Sequence, residues 1–346
     1  MGSAYYGYPF YVNLGYVYIR TSTKRRASES VRFFSDALFP DQKIPISAGV
    51  PYWEDLLLKP SSVYCERYED VERQVNKEFY KELHHRYWRF FGFLSEKTGW
   101  ELSMSNIGDV YSALHRERIH GFLQPDWVNQ TVYNTVVELK RVQLLSQYNN
   151  PILSRLRSGF LLGDIVKNIK EAFERAKLPK LRVYSSHDDT ILALMYNMGI
   201  ANEELIPYSA MLLLELHHDD DGHHFVRVLY LNETNSPPSQ LPIPGCLYAD
   251  CPYSYFKTLM DPRTFTFKDE VEKECGRPVV KPSETVEQND KEGDEVGKVE
   301  DKGVKEEKAM NYGNVTMTMV LAVTTVLLGA VILVQSICLF RAIGKE

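Results

Sequence analysis

The stretch that most constrains the fold is Leu181-Arg-Val-Tyr-Ser-Ser-His-Asp-Asp-Thr-Ile-Leu-Ala-Leu-Met195. Leu181 to Tyr184 are strand formers, and from Thr190 onward good helix formers recur at helical spacing. Between them stand Ser186, His187, Asp188 and Asp189. The pattern predicts a strand, a tight polar turn and a helix. It puts the polar cluster at the carboxyl end of a strand and the amino end of a helix. Ligands of open α/β sheets bind at that position. Free N–H groups and the helix dipole favour an anion there. An imidazole at His187 suits holding a phosphoryl oxygen, and a carboxyl at Asp188 suits protonating a departing alkoxide. The same residues also suit a plain helix cap, with Asp188 or Asp189 closing the first turn.

Two further stretches bear on that choice. Val17-Tyr-Ile-Arg-Thr-Ser-Thr-Lys-Arg-Arg26 reads as a strand ending in Arg20, followed by a helix from Ser28 to Phe39 that presents Val31, Phe34 and Leu38 on one face and stops at Pro40. A guanidinium at a strand end makes bidentate phosphate contacts and keeps its charge at any working pH. Downstream lie Leu229-Tyr-Leu-Asn-Glu-Thr234, Leu241-Pro-Ile-Pro-Gly-Cys246 and Cys251-Pro252. Together with Tyr184-Ser-Ser-His-Asp-Asp-Thr190 these segments resemble the histidine acid phosphatases, most nearly the lysosomal and prostatic type, from about Tyr16 to Cys275. The resemblance implies an α/β fold, a phosphoglycerate mutase-like three-layer sandwich with an inserted helical cap subdomain. It implies hydrolysis of phosphate monoesters without a cofactor or metal, with Asp188 as proton donor, His187 binding phosphate, Arg20 as the phosphate-binding arginine and Arg26 supporting structure. A homodimer is the assembly that relatives suggest.

Cys65, Cys246, Cys251 and Cys275 precede the apolar run that holds Cys338. An even number fits two disulfides in an oxidising compartment, and the sequence allows three pairings or reduced structural cysteines. The resemblance implies Cys65–Cys275 and Cys246–Cys251.

Between the Arg20 and His187 stretches the pattern is helical. Glu66 to Leu94 repeats Tyr68, Val71, Val75, Phe79, Leu83, Tyr87, Phe90 and Leu94 at steps of three or four, a long amphipathic helix or a broken pair. Further helical patterns run over 99–121, 125–148 and 154–177, so a cap is expected over about 66–177. His84 and His85 sit beside the first apolar face and read as solvated. After the central stretch, apolar runs 210–216 and 225–231 flank His217-His-Asp-Asp-Asp-Gly-His-His224, a hairpin with a solvated loop. Neighbouring His pairs point to opposite faces of a strand, so no metal site is expected.

The net charge of −6 and the lack of a basic patch argue against a nucleic-acid surface. From 281 to 314 acids predominate and apolar bulk is scarce, the composition of a disordered stalk. Val315 to Phe340 carries no charge over 26 residues. As a helix it spans about 39 Å, enough for one tilted membrane crossing. Arg341 and Lys345 follow, which puts residues 341–346 in the cytosol and the ectodomain 1–280 in the lumen or outside the cell. The expected location is the lysosomal or secretory route or the cell surface. The sequons at Asn129, Asn232 and Asn314 fall on the lumenal side. Residues 1–16 make a poor signal peptide, with no basic start, apolar core or cleavage site.

One family feature is missing from these residues. The first signature, R-H-G-x-R-x-P, supplies the nucleophilic His. None of the nine histidines here stands between Arg and Gly; His120-Gly121 follows Ile119. The resemblance begins just after that signature, so the first strand is expected to be missing and neighbouring strand edges to be unpaired. Two functional readings follow: a membrane-bound acid phosphatase impaired in this chain, or a non-catalytic membrane-tethered binding ectodomain.

Overall fold

The computed structural model describes residues 17–174, 179–233 and 236–276. Its first sheet is wholly parallel. Strand β1 (Val17–Thr21) lies between β2 (Ile46–Ala48) and β3 (Leu181–Ser185), with Ile19 opposite Ile46 on one side and Val183 on the other. Ile19, Val31, Phe39 and Ile44 form a small core against this sheet. Helix α1 spans Arg25–Leu38, starting three residues earlier than expected. Its buried stripe is Ala27, Val31 and Ser35, at strict i+4 steps. That stripe turns Leu38 outward, contrary to the expected apolar face.

Helix α2 (Glu66–Thr98) is one long helix broken at Tyr87, whose backbone leaves helical values (φ −107°, ψ 17°). Tyr68, Leu83 and Leu94 are buried as expected, but Val75 and Phe79 are exposed. Asn76 takes the buried position there, with its amide donating to Ser146 O (3.0 Å) and Glu72 (2.9 Å). Helices α3 (Ile107–Ile119) and α4 (Gln130–Ser146) follow. They share a core with α2 built on Leu83, Phe91, Leu94, Ile107, Val110 and Leu139. His84 and His85 are exposed.

Helix α5 (Pro151–Glu174) leads into β3. It approaches the 263–265 segment at two glycines. A Cβ on Gly163 would lie 2.0 Å from Phe265 O, and one on Gly159 2.8 Å from the Phe265 ring. Phe265 N–H donates to Gly159 O at 2.9 Å. Helix α6 (Asp188–Met198) follows β3 directly, as the opening stretch predicts. Strands β4 (Met211–His218) and β5 (His224–Leu231) form the expected hairpin. Short β6 (Ser239–Gln240) and β7 (Cys251–Pro252) also pair with β5. Helices α5 and α6 pack with β5 through Leu162, Leu192, Met195, Val226 and Val228, joined by Phe256 of α7 (Tyr253–Met260).

The described strands thus form two sheets rather than one. Among the described residues β3 pairs only with β1, and β4 only with β5. Both expected disulfides form. Cys65–Cys275 ties the start of α2 to the end of α8 (Lys268–Glu274), and Cys246–Cys251 closes a short loop. Asn129 and Asn232 are exposed. Among the described residues no helix is long and apolar enough to cross a membrane. The expected span 315–340, the stalk, the tail, Asn314 and residues 1–16 lie outside the described residues.

Candidate active site

Parallel pairing in register sets Arg20 opposite Tyr184 and Thr21 opposite Ser185. The residues after both strands therefore emerge at one sheet edge. Ser22 N–H donates to Ser185 O (3.0 Å), and Ser185 Oγ donates to Ala27 O (2.8 Å), closing the two strand ends on the start of α1. His187 has extended backbone and occupies the N-cap position of α6. Its imidazole is 5 % exposed and lies between Ser22 Oγ (3.0 Å from Nε2) and Arg26 Nη2 (3.3 Å from Nδ1). Burial and then the Lys59 charge push this imidazole down to about 4; Arg26 and Lys24 add to the effect, and Asp189 opposes it. A guanidinium only donates. Neutral His187 therefore accepts at Nδ1 and carries its proton on Nε2, where it can be given to an oxyanion.

The neighbouring acids are in contrasting surroundings. Asp188 is exposed, and its carboxylate accepts no hydrogen bond from the described residues. Asp189 turns inward and is held by Lys59 Nζ and Ser61 Oγ, both on the same oxygen. Burial alone would raise the Asp189 pKa. The Lys59 charge and the hydrogen bonds from Lys59 and Ser61 outweigh that and hold it below the usual carboxylate range. Neither carboxylate caps the helix. Asp189 is thus held as a paired anion, whereas Asp188 faces solvent.

Arg20 reaches sideways to Asp55, with Nη2 at 3.4 Å from Oδ1. The segment from Asp55 to Ser61 therefore touches both the Arg20 and the His187–Asp189 stretches, and Thr190 Oγ1 adds a third tie by donating to Leu58 O (3.0 Å). Arg157, 5 % exposed, braces it from α5 by donating to Pro60 O and Val63 O, each at 2.7 Å. On α4, Lys140 faces the same edge. Burial pushes its ammonium down, and the fields of Asp188, Asp109 and Asp189 push it back. Lys24 stands over the Tyr52 ring at 3.2 Å. A cavity of about 470 Å³, lined by Ser61, Tyr68, Asn76, Tyr148 and Arg157 among others, borders the site through Ser61. It is not lined by Arg20, His187 or Asp188.

Sequence reasoning singled out Arg20, His187 and Asp188 but not Asp55, Lys59, Ser61 or Lys140, which lie around them. The run Asp55-Leu-Leu-Leu-Lys-Pro60 carries no motif that would have singled them out. In the hairpin loop Asp219, Asp221 and His223 bring ligand-type atoms within 4.8 Å of one another. His223 N–H donates to Asp219 Oδ1 (2.7 Å), so the cluster serves as a turn staple.

The sequence model of the histidine phosphatase superfamily, branch 2, matches residues 6–231. Mouse prostatic acid phosphatase is 34 % identical over 264 residues, covering 71 % of this chain and 68 % of that protein. Human lysosomal acid phosphatase is 31 % identical over 263 residues, covering 71 % of this chain and 62 % of that one. Among solved structures, Hafnia alvei phytase in complex with tartrate superposes with a TM-score of 0.59 at 16 % identity, over 72 % of this chain and 78 % of that one. Klebsiella sp. ASR1 phytase does so with a TM-score of 0.59 at 14 % identity, over 77 % and 78 %. These structures speak to the fold alone.

Proposed function

This chain belongs to branch 2 of the histidine phosphatase superfamily, and on that premise we propose that its site binds the phosphoryl group of phosphate monoesters and protonates the leaving alcohol. One observation supports the reading. Arg20 stands on β1 in register with Tyr184 of β3, Arg26 meets His187 just beyond the end of β3, and the next residue, Asp188, is an exposed acid whose carboxylate accepts no hydrogen bond from the described residues. Arg20 would hold non-bridging oxygens through its fork. His187, kept neutral with its proton on Nε2, would pass that donation from Ser22 to a phosphoryl oxygen. Asp188 would deliver its proton to the departing alkoxide, which requires the carboxylic acid form and so an acidic medium. Asp189 takes no part in proton transfer, being ion-paired.

The nucleophile is the part these residues do not supply, since no histidine here stands in an Arg-His-Gly triplet. A strand bearing that triplet would have a place along the edges of β3 and β4 that no described strand pairs with. The same absence favours a second reading, a binding ectodomain that captures phosphorylated ligands without turnover. On either reading the run 315–340 would anchor the ectodomain on the lumenal or outer side of a secretory or lysosomal membrane, and resistance to alkaline carbonate extraction tests that.

Purified protein titrated with inorganic phosphate near pH 5, and assayed in parallel on an aryl phosphate, separates these readings. Phosphate binding that Arg20→Ala abolishes or weakens at least tenfold supports the site. Turnover would contradict the missing nucleophile, and binding without turnover supports the second reading. No phosphate binding, or binding indifferent to Arg20→Ala, would sink the assignment.

A further inference from the structure

We propose that Asp55 is the positioning residue that aims Arg20, and that Gly49 keeps open the lane in which the guanidinium lies. The inference rests on the reading of Arg20 as a phosphate ligand and goes beyond it by naming what holds that ligand ready. Asp55 is wholly buried. Its Oδ1 accepts from Leu57 N–H (3.2 Å) and Leu58 N–H (3.0 Å), so the backbone fixes this carboxylate without help from Arg20. Arg20 joins it by one nitrogen only, Nη2 at 3.4 Å. Arg20 Nε and Asp55 Oδ2 are buried without a hydrogen-bond partner, so the two groups meet at a single point rather than as a two-pronged pair. A one-point hold leaves Nη1 of the fork uncommitted.

The lane is an independent observation. A Cβ built on Gly49 would lie 2.9 Å from Arg20 Nη2, 3.3 Å from Nε and 3.4 Å from Cζ. Every other side chain at position 49 would therefore push the guanidinium off its course. Because the obstructing atoms end a flexible side chain, an alanine displaces Arg20 rather than the backbone. Together the carboxylate and the glycine remove rotamer freedom that Arg20 would otherwise lose on binding an anion. The arrangement has an opposing electrostatic effect, since Asp55 is itself repelled by phosphate. Aim and charge can be separated. Asparagine keeps an acceptor oxygen for Leu57, Leu58 and Arg20 but removes the charge, whereas alanine removes both.

The experiment is titration of the full chain with inorganic phosphate near pH 5, by calorimetry for tight variants and by phosphorus NMR for weak ones. Asp55→Ala should weaken binding about tenfold, and Asp55→Asn should stay within about threefold of wild type. Gly49→Ala, which leaves the Asp55 hydrogen bonds intact, should also weaken it several-fold. In an Arg20→Ala background neither Asp55→Ala nor Gly49→Ala should cost more than about twofold. The proposal falls if Asp55→Ala binds phosphate like wild type, if Asp55→Asn is as weak as Asp55→Ala, or if either loss recurs in full without Arg20. Should Asp55→Ala fail to fold, Gly49→Ala decides by the same criteria. Arg20→Ala alone tests the parent reading: unchanged phosphate binding there removes Arg20 from the site, whatever Asp55 does.

Discussion

Replacing Lys59 by methionine removes the charge that keeps Asp189 ionised while nearly preserving volume. The side chains of Lys59 and Asp189 are only 12 % and 15 % exposed. Two unit charges about 4 Å apart in a medium of effective dielectric about 20 attract by about 4 kcal/mol. Removing one partner of a buried pair typically costs about 3–5 kcal/mol. Ser61 still donates to Asp189 in the variant, so we take the lower end, about 3 kcal/mol at pH 7. The sign with pH follows from the two states of Asp189. In the wild-type protein its pKa is depressed, so the stability it contributes is complete above the unfolded value of about 4 and is lost as pH falls through the lower folded value. Without Lys59, burial dominates and the folded pKa rises above the unfolded one. The folded variant then binds a proton that the unfolded chain does not, and its stability falls as pH rises. Two pH units of such uptake amount to at most about 3 kcal/mol, so the deficit at pH 7 should exceed that at pH 5 by up to that amount. Urea unfolding followed by tryptophan fluorescence at both pH values measures this. A deficit below about 1 kcal/mol at pH 7, or one equal at both pH values, would refute the assignment of Asp189 as a buried anion stabilised by Lys59.

Three other outcomes follow from the same structure. Because His187 is held neutral at a pKa of about 4, an anion bound beside it should raise that value. Sulfate, which does not titrate near pH 5, should then bind with proton uptake, seen as calorimetric heats that depend on buffer ionisation enthalpy. The dependence should vanish in His187→Gln, and heats independent of buffer in the wild type would contradict the imidazole's placement. Cys65–Cys275 closes a loop of 210 residues and Cys246–Cys251 one of 5. Chain entropy predicts stabilisation by about 5 and about 2 kcal/mol. Serine pairs at the two sites should differ accordingly in denaturant midpoint, and an equal or reversed order would count against the loop-closure account. Gly163→Ala places a Cβ 2.0 Å from Phe265 O and should cost about 3 kcal/mol or more, whereas exposed helical Gly92, with nothing within 4 Å, should accept alanine at no cost. Equal melting temperatures for the two alanine variants would show that α5 is not packed on the 263–265 backbone as described.

Much of the architecture was legible because its causes are local. The change from strand formers to helical spacing at 181–195 reported β3, the turn and α6. Two apolar-rich runs around Asp-Gly reported the β4–β5 hairpin. Motif resemblance pointed to Arg20, His187, Asp188 and both disulfides. The misplaced details are those where a helix's buried side is chosen by its neighbours. Asn76 displaced Val75 and Phe79 from the interior of α2 because Ser146 O needed a donor there. Leu38 faces outward because α1 packs along Ala27, Val31 and Ser35.

The surroundings of the two acids, and the partner of Arg20, were decided only in three dimensions. Asp188 and Asp189 are adjacent and chemically identical in the sequence. They part because one turns toward Lys59, 130 residues earlier, and the other does not. The motif marked Arg20, but nothing in the sequence marked its partner Asp55, 35 residues on. Periodicity and propensity report what a residue does to its own few neighbours along the chain. The charge state of a carboxylate depends on the dielectric and the cations around it, and those are set by which distant segments the fold brings together.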